Sequence, residues 1–353
     1  MSTTITKRLS FSQAARPRAV AQGAAQPPGE ISPVARACLG LLETPKVLPP
    51  WLFYDDRGSA LFEQITRLPE YYPTRVERAI FEERADAIFE HAARAGEGER
   101  AGVAHSDAEL SIVELGAGTA TKTDLLLAAA VRRQGPVRFY PSDVSPLPLQ
   151  EAAERLARTQ PQVAVSPLVG THEAAFRALH SVPGRRLVLF IGSSIGNFEH
   201  LEAMEFLSDL RSSLRAGDGL LLGTDLRKDP AILVPAYDDA AGVTAAFNLN
   251  LLTRLNREVG AHFDPAQFRH VALWNDAESR IEMHLESRLH QMVRIDALNA
   301  TIRFAAGERI HTESSHKYDE ATIDLVLGTA GFERVTTFTD VRGWFAVNLA
   351  VAV

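Results

Sequence analysis

The residues most able to do chemistry are Glu114-Leu115-Gly116-Ala117-Gly118-Thr119, which end an apolar run and lead into a stretch, 121–132, with helical spacing. A strand that runs through a glycine-rich turn into a helix lets a ligand approach the backbone at the helix N-terminus. A dinucleotide fingerprint requires a third glycine where Thr121 stands, and a phosphate loop requires glycine before lysine, where Thr121 precedes Lys122-Thr123. Both patterns miss by one residue. Asp143 closes the next strand candidate, 137–143. An acid in that place can accept both hydroxyls of a ribose, with capping of the following turn as its competing role. The pattern points to a nucleoside-containing ligand.

The elements that must position these residues alternate regularly. Strand candidates at 110–115, 137–143, 163–169, 186–191 and 219–226 are separated by helical stretches, one opened by Ser145-Pro146 and one at 201–215 stopped by Gly217. Five β-α units in series predict a mainly parallel sheet with helices on both sides, and the continuous run at 186–191 predicts a central strand. The alternation stops after Leu226 and resumes with a helix at 320–329 and a closing strand pair at 333–339 and 345–353. The roughly 90 residues between far exceed an ordinary connection and should fold as a lid or second domain. Within them Ile281, Met283 and Leu285 alternate with Glu282, His284 and Glu286, as in a half-buried strand.

Composition removes several classes of function. With 37 basic and 44 acidic side chains among 353 residues the net charge is −7, which argues against nucleic acid as a partner. The lone cysteine, Cys38, excludes an internal disulfide and a cysteine-rich zinc site, and fits a reducing compartment. No apolar run approaches the roughly 20 residues that span a bilayer, so no membrane partner is expected and the chain reads as cytoplasmic. His284, His290, His311 and His316 lack metal-ligand spacing with any acid, so no metal is expected. Residues 1–29 contain no acid and several arginines, a composition shared by disordered tails and organellar transit peptides; 1–30 is read as a disordered tail. The Gly/Ala-rich stretch 94–107 reads as a link between two units.

The acid before Gly-x-Gly-Thr resembles motif I of class I S-adenosylmethionine-dependent methyltransferases. Longer motifs narrow the resemblance: Phe53-Tyr54-Asp55, Leu68-Pro69-Glu70-Tyr71-Tyr72-Pro73-Thr74-Arg75, Gly192-Ser193-Ser194-Ile195-Gly196-Asn197-Phe198, Tyr237-Asp238-Asp239 and His311-Thr312-Glu313-Ser314-Ser315-His316-Lys317. Over residues 40–353 the chain resembles the histidine-specific methyltransferase family, known for the ergothioneine-pathway L-histidine Nα-methyltransferases. The resemblance implies an α/β fold: a class I methyltransferase Rossmann-like domain, 75–226 plus 318–353, and a substrate-binding domain, 31–74 plus 227–317.

The resemblance also implies roles. Tyr71, Asn197 and Tyr237 would hold the amino-acid head group, with Tyr71 and Asn197 nearest the chemistry, by hydrogen bonds that supply no fixed positive charge. Glu313 and Ser315, two apart and so on one face of an extended segment, would bind the two imidazole nitrogens, with Tyr54 assisting and Met283 lining the ring pocket. S-adenosylmethionine would be held by Glu114, Gly116, Gly118, Lys122, Asp143 and Gly192. At Gly170-Thr171-His172-Glu173 the chain departs from the family's Gly-Asp-aromatic pattern, and Thr171 becomes the candidate adenine contact. The expected reaction is successive methylation of L-histidine and its mono- and dimethyl forms to hercynine, by a monomer. The alternative is N-methylation of another amino acid or a tryptophan-derived metabolite.

Overall fold

A computed structural model describes residues 31–95 and 109–353. The tail read at 1–30 and nearly all of the 94–107 stretch lie outside the described residues.

The strands in chain order are β1 (Lys46–Val47), β2 (Leu110–Leu115), β3 (Val137–Asp143), β4 (Val163–Val165), β5 (Leu168–Val169), β6 (Arg185–Phe190), β7 (Gly219–Asp225), β8 (Phe268–Asn275), β9 (Arg280–Ser287), β10 (Gln291–Ile295), β11 (Ala300–Phe304), β12 (Arg309–His316), β13 (Phe332–Thr339) and β14 (Phe345–Ala352). The large sheet has the order β13-β14-β7-β6-β2-β3-β4, with β5 pairing the end of β3. The strands from β4 to β7 run parallel, and β14 runs antiparallel between β7 and β13. This is the Rossmann-like sheet expected of a class I methyltransferase.

The expected central strand is β6, and its side chains serve both faces. Leu187 and Leu189 join the core under helices Pro73–Arg94 and Thr123–Gln134, while Val188 and Phe190 join the core under helices His200–Ser212 and Glu320–Thr329. The strand expected at 163–169 is instead two short pieces. Pro167 lies between them, and a residue without an N–H interrupts a ladder. The helix expected from Thr121 begins at Thr123, because Ala120 takes a positive φ of 52° and extends the turn.

A separate apolar core joins the N-terminal segment to the insert. Leu41, Leu52 and Phe53 pack with Phe247, Leu251 and Leu255 of helix Val243–Val259, and with Ile281, Met283 and Leu285 of β9. A sheet of order β1-β12-β9-β8 backs that core, with β1 parallel to β12. The alternation along β9 is as expected, but its polar face is covered: Glu286 pairs with Arg269 and Arg309, and Glu282 with Arg280.

Asp55 ties the segment to the insert. It caps helix Asp56–Ile65 by accepting the Gly58 N–H at 2.7 Å, and also accepts from the Asn250 amide at 2.8 Å and from Arg257 at 2.7 Å. The insert leaves and rejoins the large sheet at one point. The Tyr318 N–H donates to the Asp225 carbonyl at 2.9 Å, and the Arg227 N–H to the Tyr318 carbonyl at 2.8 Å.

Loss of a side-chain cap costs about 1–2 kcal/mol, so Asp55→Ala should lower the free energy of urea unfolding by at least that much, and Asp55→Asn, which keeps a cap acceptor, should recover most of it. Equal midpoints for wild type and Asp55→Ala would remove this tie.

Candidate active site

The C-terminal ends of β6 and β7 face β9 and β12 across an open cleft of about 610 Å³, a figure that includes space continuous with solvent. All seven residues expected at the substrate line it: Tyr54, Tyr71, Asn197, Tyr237, Met283, Glu313 and Ser315. Gly192 also lines it. Tyr54, Phe62, Tyr71 and Phe247 form an aromatic wall, with ring centroids 5.8–6.2 Å apart along Tyr54, Phe62 and Tyr71.

Glu313 lies opposite Met283 in the β9–β12 register, so one apolar and one acidic side chain close the same end of the cleft. Among the described residues nothing hydrogen-bonds to the Glu313 carboxylate, and burial pushes it up to about 7 against the opposing charge of Lys317. A buried carboxyl without a partner is costly, and in a cleft it awaits a donor. Tyr237 and Ser315, by contrast, are already bound to each other at 2.7 Å. Burial raises the Tyr71 and Tyr237 phenols well above 10, reinforced by Tyr237 at Tyr71 and by Asp225 at Tyr237, so both stay protonated.

Two charged residues behind the cleft carry no sequence-derived role. Lys317, 2% exposed, donates to Tyr237 Oη and Ser315 Oγ, both at 2.8 Å, and pairs with Asp225 Oδ2 at 3.0 Å. Asp225 lines the cleft and also accepts from Tyr72 Oη and from Lys228. Burial opposes ionisation of Asp225, but Lys317 and Lys228 outweigh it and hold its carboxyl below the ordinary range. Tyr71, Asn197 and Tyr237 themselves bring no fixed charge, and the structure sets one beside them: the buried ammonium of Lys317 touches the hydroxyls of Tyr237 and Ser315.

The other residues expected at the donor lie beside the cleft, on the edge formed by β2, β3 and β5. Gly116 and Gly118 take φ of +67° and +52°, a region that disfavours side chains, and a Cβ at either would meet nothing within 4 Å. The turn is thus open where a ligand would approach. Asp143 fills the turn-holding role, accepting from the Gly118 N–H at 3.0 Å and the Ser145 N–H at 2.9 Å, and its half-buried oxygens retain free lone pairs. Val169 is its register partner, which brings Thr171 to the same edge as the first residue before helix His172–Leu179.

Glu114 lies beneath the turn rather than in the cleft. It accepts from Thr123 Oγ1 at 2.8 Å, leaves Oε2 without a partner, and is pushed by burial up to about 8, with Thr123 and Lys122 opposing. Lys122 is ion-paired with Glu77, which sequence reasoning missed. Glu77 is fully buried and also accepts the Gly192 N–H at 2.7 Å, so one carboxylate links the glycine turn to the cleft. Among the described residues no set of three His, Cys, Asp or Glu converges as metal ligands do, and no helix is long and apolar enough to cross a membrane.

The raised Glu313 sets a pH signature. Folded Glu313 holds its proton up to about pH 7 and the unfolded group only to about 4.5, so stability falls as pH rises through that window and the penalty is complete above it. Between pH 5 and 8.5, Glu313→Gln should therefore gain roughly 2 kcal/mol over wild type in urea unfolding. A pH-independent difference would mean that Glu313 is not buried as a carboxyl.

Residues 34–352 match the family described as histidine-specific, S-adenosylmethionine-dependent methyltransferases. The chain is 46% identical over 312 residues to a histidine N-alpha-methyltransferase of Mycolicibacterium smegmatis, covering 88% of this chain and 92% of that one. It is 45% identical to the protein of the same description from Mycobacterium tuberculosis, with the same coverage. A third relative, ergothioneine biosynthesis protein 1 of Neurospora crassa, is 31% identical over 84% of this chain and 32% of its own length. With the Rossmann-like sheet, the open glycine turn and the acid-lined cleft side by side, the chain belongs to the family of S-adenosylmethionine-dependent, histidine-specific methyltransferases.

Proposed function

We propose that this chain methylates the α-amine of L-histidine from S-adenosylmethionine, three times in succession, to give hercynine, the first step of ergothioneine biosynthesis. The observation that carries this reading is the unpartnered, buried Glu313 carboxyl beside the Ser315 hydroxyl in a cleft closed by Met283. An imidazole answers that arrangement, because it brings one N–H for the acid and one acceptor nitrogen for the hydroxyl. An indole, the ring of the alternative substrates, brings only the N–H and leaves Ser315 unanswered.

The reading divides the labour between two domains. Residues 31–74 plus 227–317 form the substrate-binding domain, and 75–226 plus 318–353 the donor-binding domain. The open turn at Gly116 and Gly118 fits a donor that must approach the backbone closely, with Asp143 for the ribose, Lys122 for the amino-acid carboxylate and Thr171 toward the base. Glu114 stiffens the turn from below through Thr123. When bound, S-adenosylmethionine supplies a methyl group already activated on a sulfonium, so the protein's task is positioning and exclusion of water. Asn197, whose amide makes no hydrogen bond among the described residues, and the neutral phenols of Tyr71 and Tyr237 orient the amino-acid head group. Tyr54 at the mouth completes the wall.

Mass spectrometry of the twenty amino acids incubated with enzyme and methyl donor tests the reading. Histidine should gain one, two and three methyl groups, with kcat/KM at least about 100-fold above tryptophan, phenylalanine and leucine, since a site built for polar ring atoms rejects rings that lack them. Asn197→Ala should lose most turnover with donor affinity intact, and Asp143→Ala should weaken donor binding by about 1.5–3 kcal/mol. Equal methylation of tryptophan by the wild type would overturn the assignment.

A further inference from the structure

We propose that Lys317 is the positioning residue that makes the ring pocket demand an acceptor nitrogen, by fixing which way the Ser315 hydroxyl points. This rests on the histidine reading above and goes one residue deeper. Three donors are available on a lysine ammonium: two are hydrogen-bonded, to Tyr237 Oη and to Ser315 Oγ at 2.8 Å each, and the ammonium is ion-paired with Asp225 Oδ2 at 3.0 Å. Lys317 is 2% exposed and has no freedom to turn elsewhere.

The proton count then constrains the two hydroxyls. Tyr237 Oη and Ser315 Oγ are 2.7 Å apart, and a contact of that length holds one proton. Two hydroxyl protons exist, so one lies between the oxygens and the other faces the cleft. A neutral imidazole that gives its N–H to Glu313 presents a bare nitrogen on its other side. A phenol is more acidic than an aliphatic hydroxyl and is the stronger donor, which favours the matching arrangement, with Tyr237 donating to Ser315 and Ser315 donating to the ring. In it both lone pairs of Ser315 are filled, one by Lys317 and one by Tyr237, so Ser315 can only donate. Without the ammonium, Ser315 regains a lone pair and can turn to accept as readily as donate. The ring nitrogen then ceases to be required.

Removal of Lys317 should leave a balanced interior, because Asp225 keeps Lys228 at 2.5 Å and Tyr72 at 2.8 Å. Lys317→Met keeps an unbranched side chain, one atom shorter, and deletes the donors together with the charge. The discriminating ligand is a histidine analogue whose imidazole is replaced by pyrrole, which keeps an N–H and substitutes a C–H for the acceptor nitrogen. Kinetics are measured for histidine and this analogue in wild type, Lys317→Met, Ser315→Ala and the double variant, with thermal unfolding and donor affinity confirming the fold of each.

The wild type should favour histidine over the analogue by at least about 100-fold, and Lys317→Met should reduce that ratio to below about 10-fold, mostly through KM for histidine. The double variant should discriminate no worse than Ser315→Ala alone, because Lys317 acts through that hydroxyl. A folded Lys317→Met with the full wild-type ratio, or effects of the two substitutions that simply multiply, would overturn the proposal and leave the histidine reading intact. A wild type that methylates histidine no better than the pyrrole analogue or tryptophan would overturn both. If Lys317→Met fails to bind donor or to fold, the role is structural and the proposal is wrong.

Discussion

The cleft depends on one buried junction, where Asp225 at the end of β7 meets Lys317 just after β12. An insert of some ninety residues has to leave the large sheet and return to it, and here both ends are fastened side by side through the backbone of Asp225, Arg227 and Tyr318. The side chains repeat the fastening. Asp225 gathers Lys317, Lys228 and Tyr72 in the interior, and Lys317 passes the tie to Tyr237 and Ser315. Removing Asp225 would strand the ammoniums of Lys317 and Lys228 without their shared counter-charge, a loss that typically costs about 3–5 kcal/mol. The direction in which β12 departs, and with it the placement of Glu313 and Ser315, follows from this knot.

A second buried carboxylate does the same for the other half of the site. Glu77, on a helix that packs against the large sheet, holds Lys122 after the glycine turn and the N–H of Gly192 at the end of β6. The glycine turn and the loop after β6 therefore share one anchor. Both anchors sit at the carboxyl ends of parallel strands, where an open α/β sheet leaves its crevice. Burial at this edge leaves Glu313 without a partner and Tyr71 neutral, which makes the cleft polar in function and poor in net charge.

Much of this was legible along the chain because the signals are local. The alternation of strands and helices, the glycine turn, the apolar face of Ile281, Met283 and Leu285, and the i, i+2 pairing of Glu313 with Ser315 all depend on periodicities of two to four residues. The seven residues expected at the substrate do meet in one cleft. Glu77, Asp225 and Lys317 escaped notice because their partners are distant: Gly192 lies 115 residues from Glu77, and Tyr237 lies 80 residues from Lys317. A lysine beside charged and polar neighbours reads as a solvated surface group, and only tertiary packing buries it. Their one available signal was position, at the strand ends where the insert begins and closes. Pro167 is itself a local signal, since a residue without an N–H interrupts the ladder at 163–169.

The central claim is that Glu313 and Ser315 read the two ring nitrogens differently, one as donor and one as acceptor. Nitrogen-15 NMR of ring-labelled histidine bound to the wild-type protein at pH 8, with S-adenosylhomocysteine present to prevent turnover, reports this directly. A single neutral tautomer is predicted, with one protonated nitrogen and one bare nitrogen at well-separated shifts. Two nitrogens that average to one intermediate shift, or a bound imidazolium with both protonated, would contradict it.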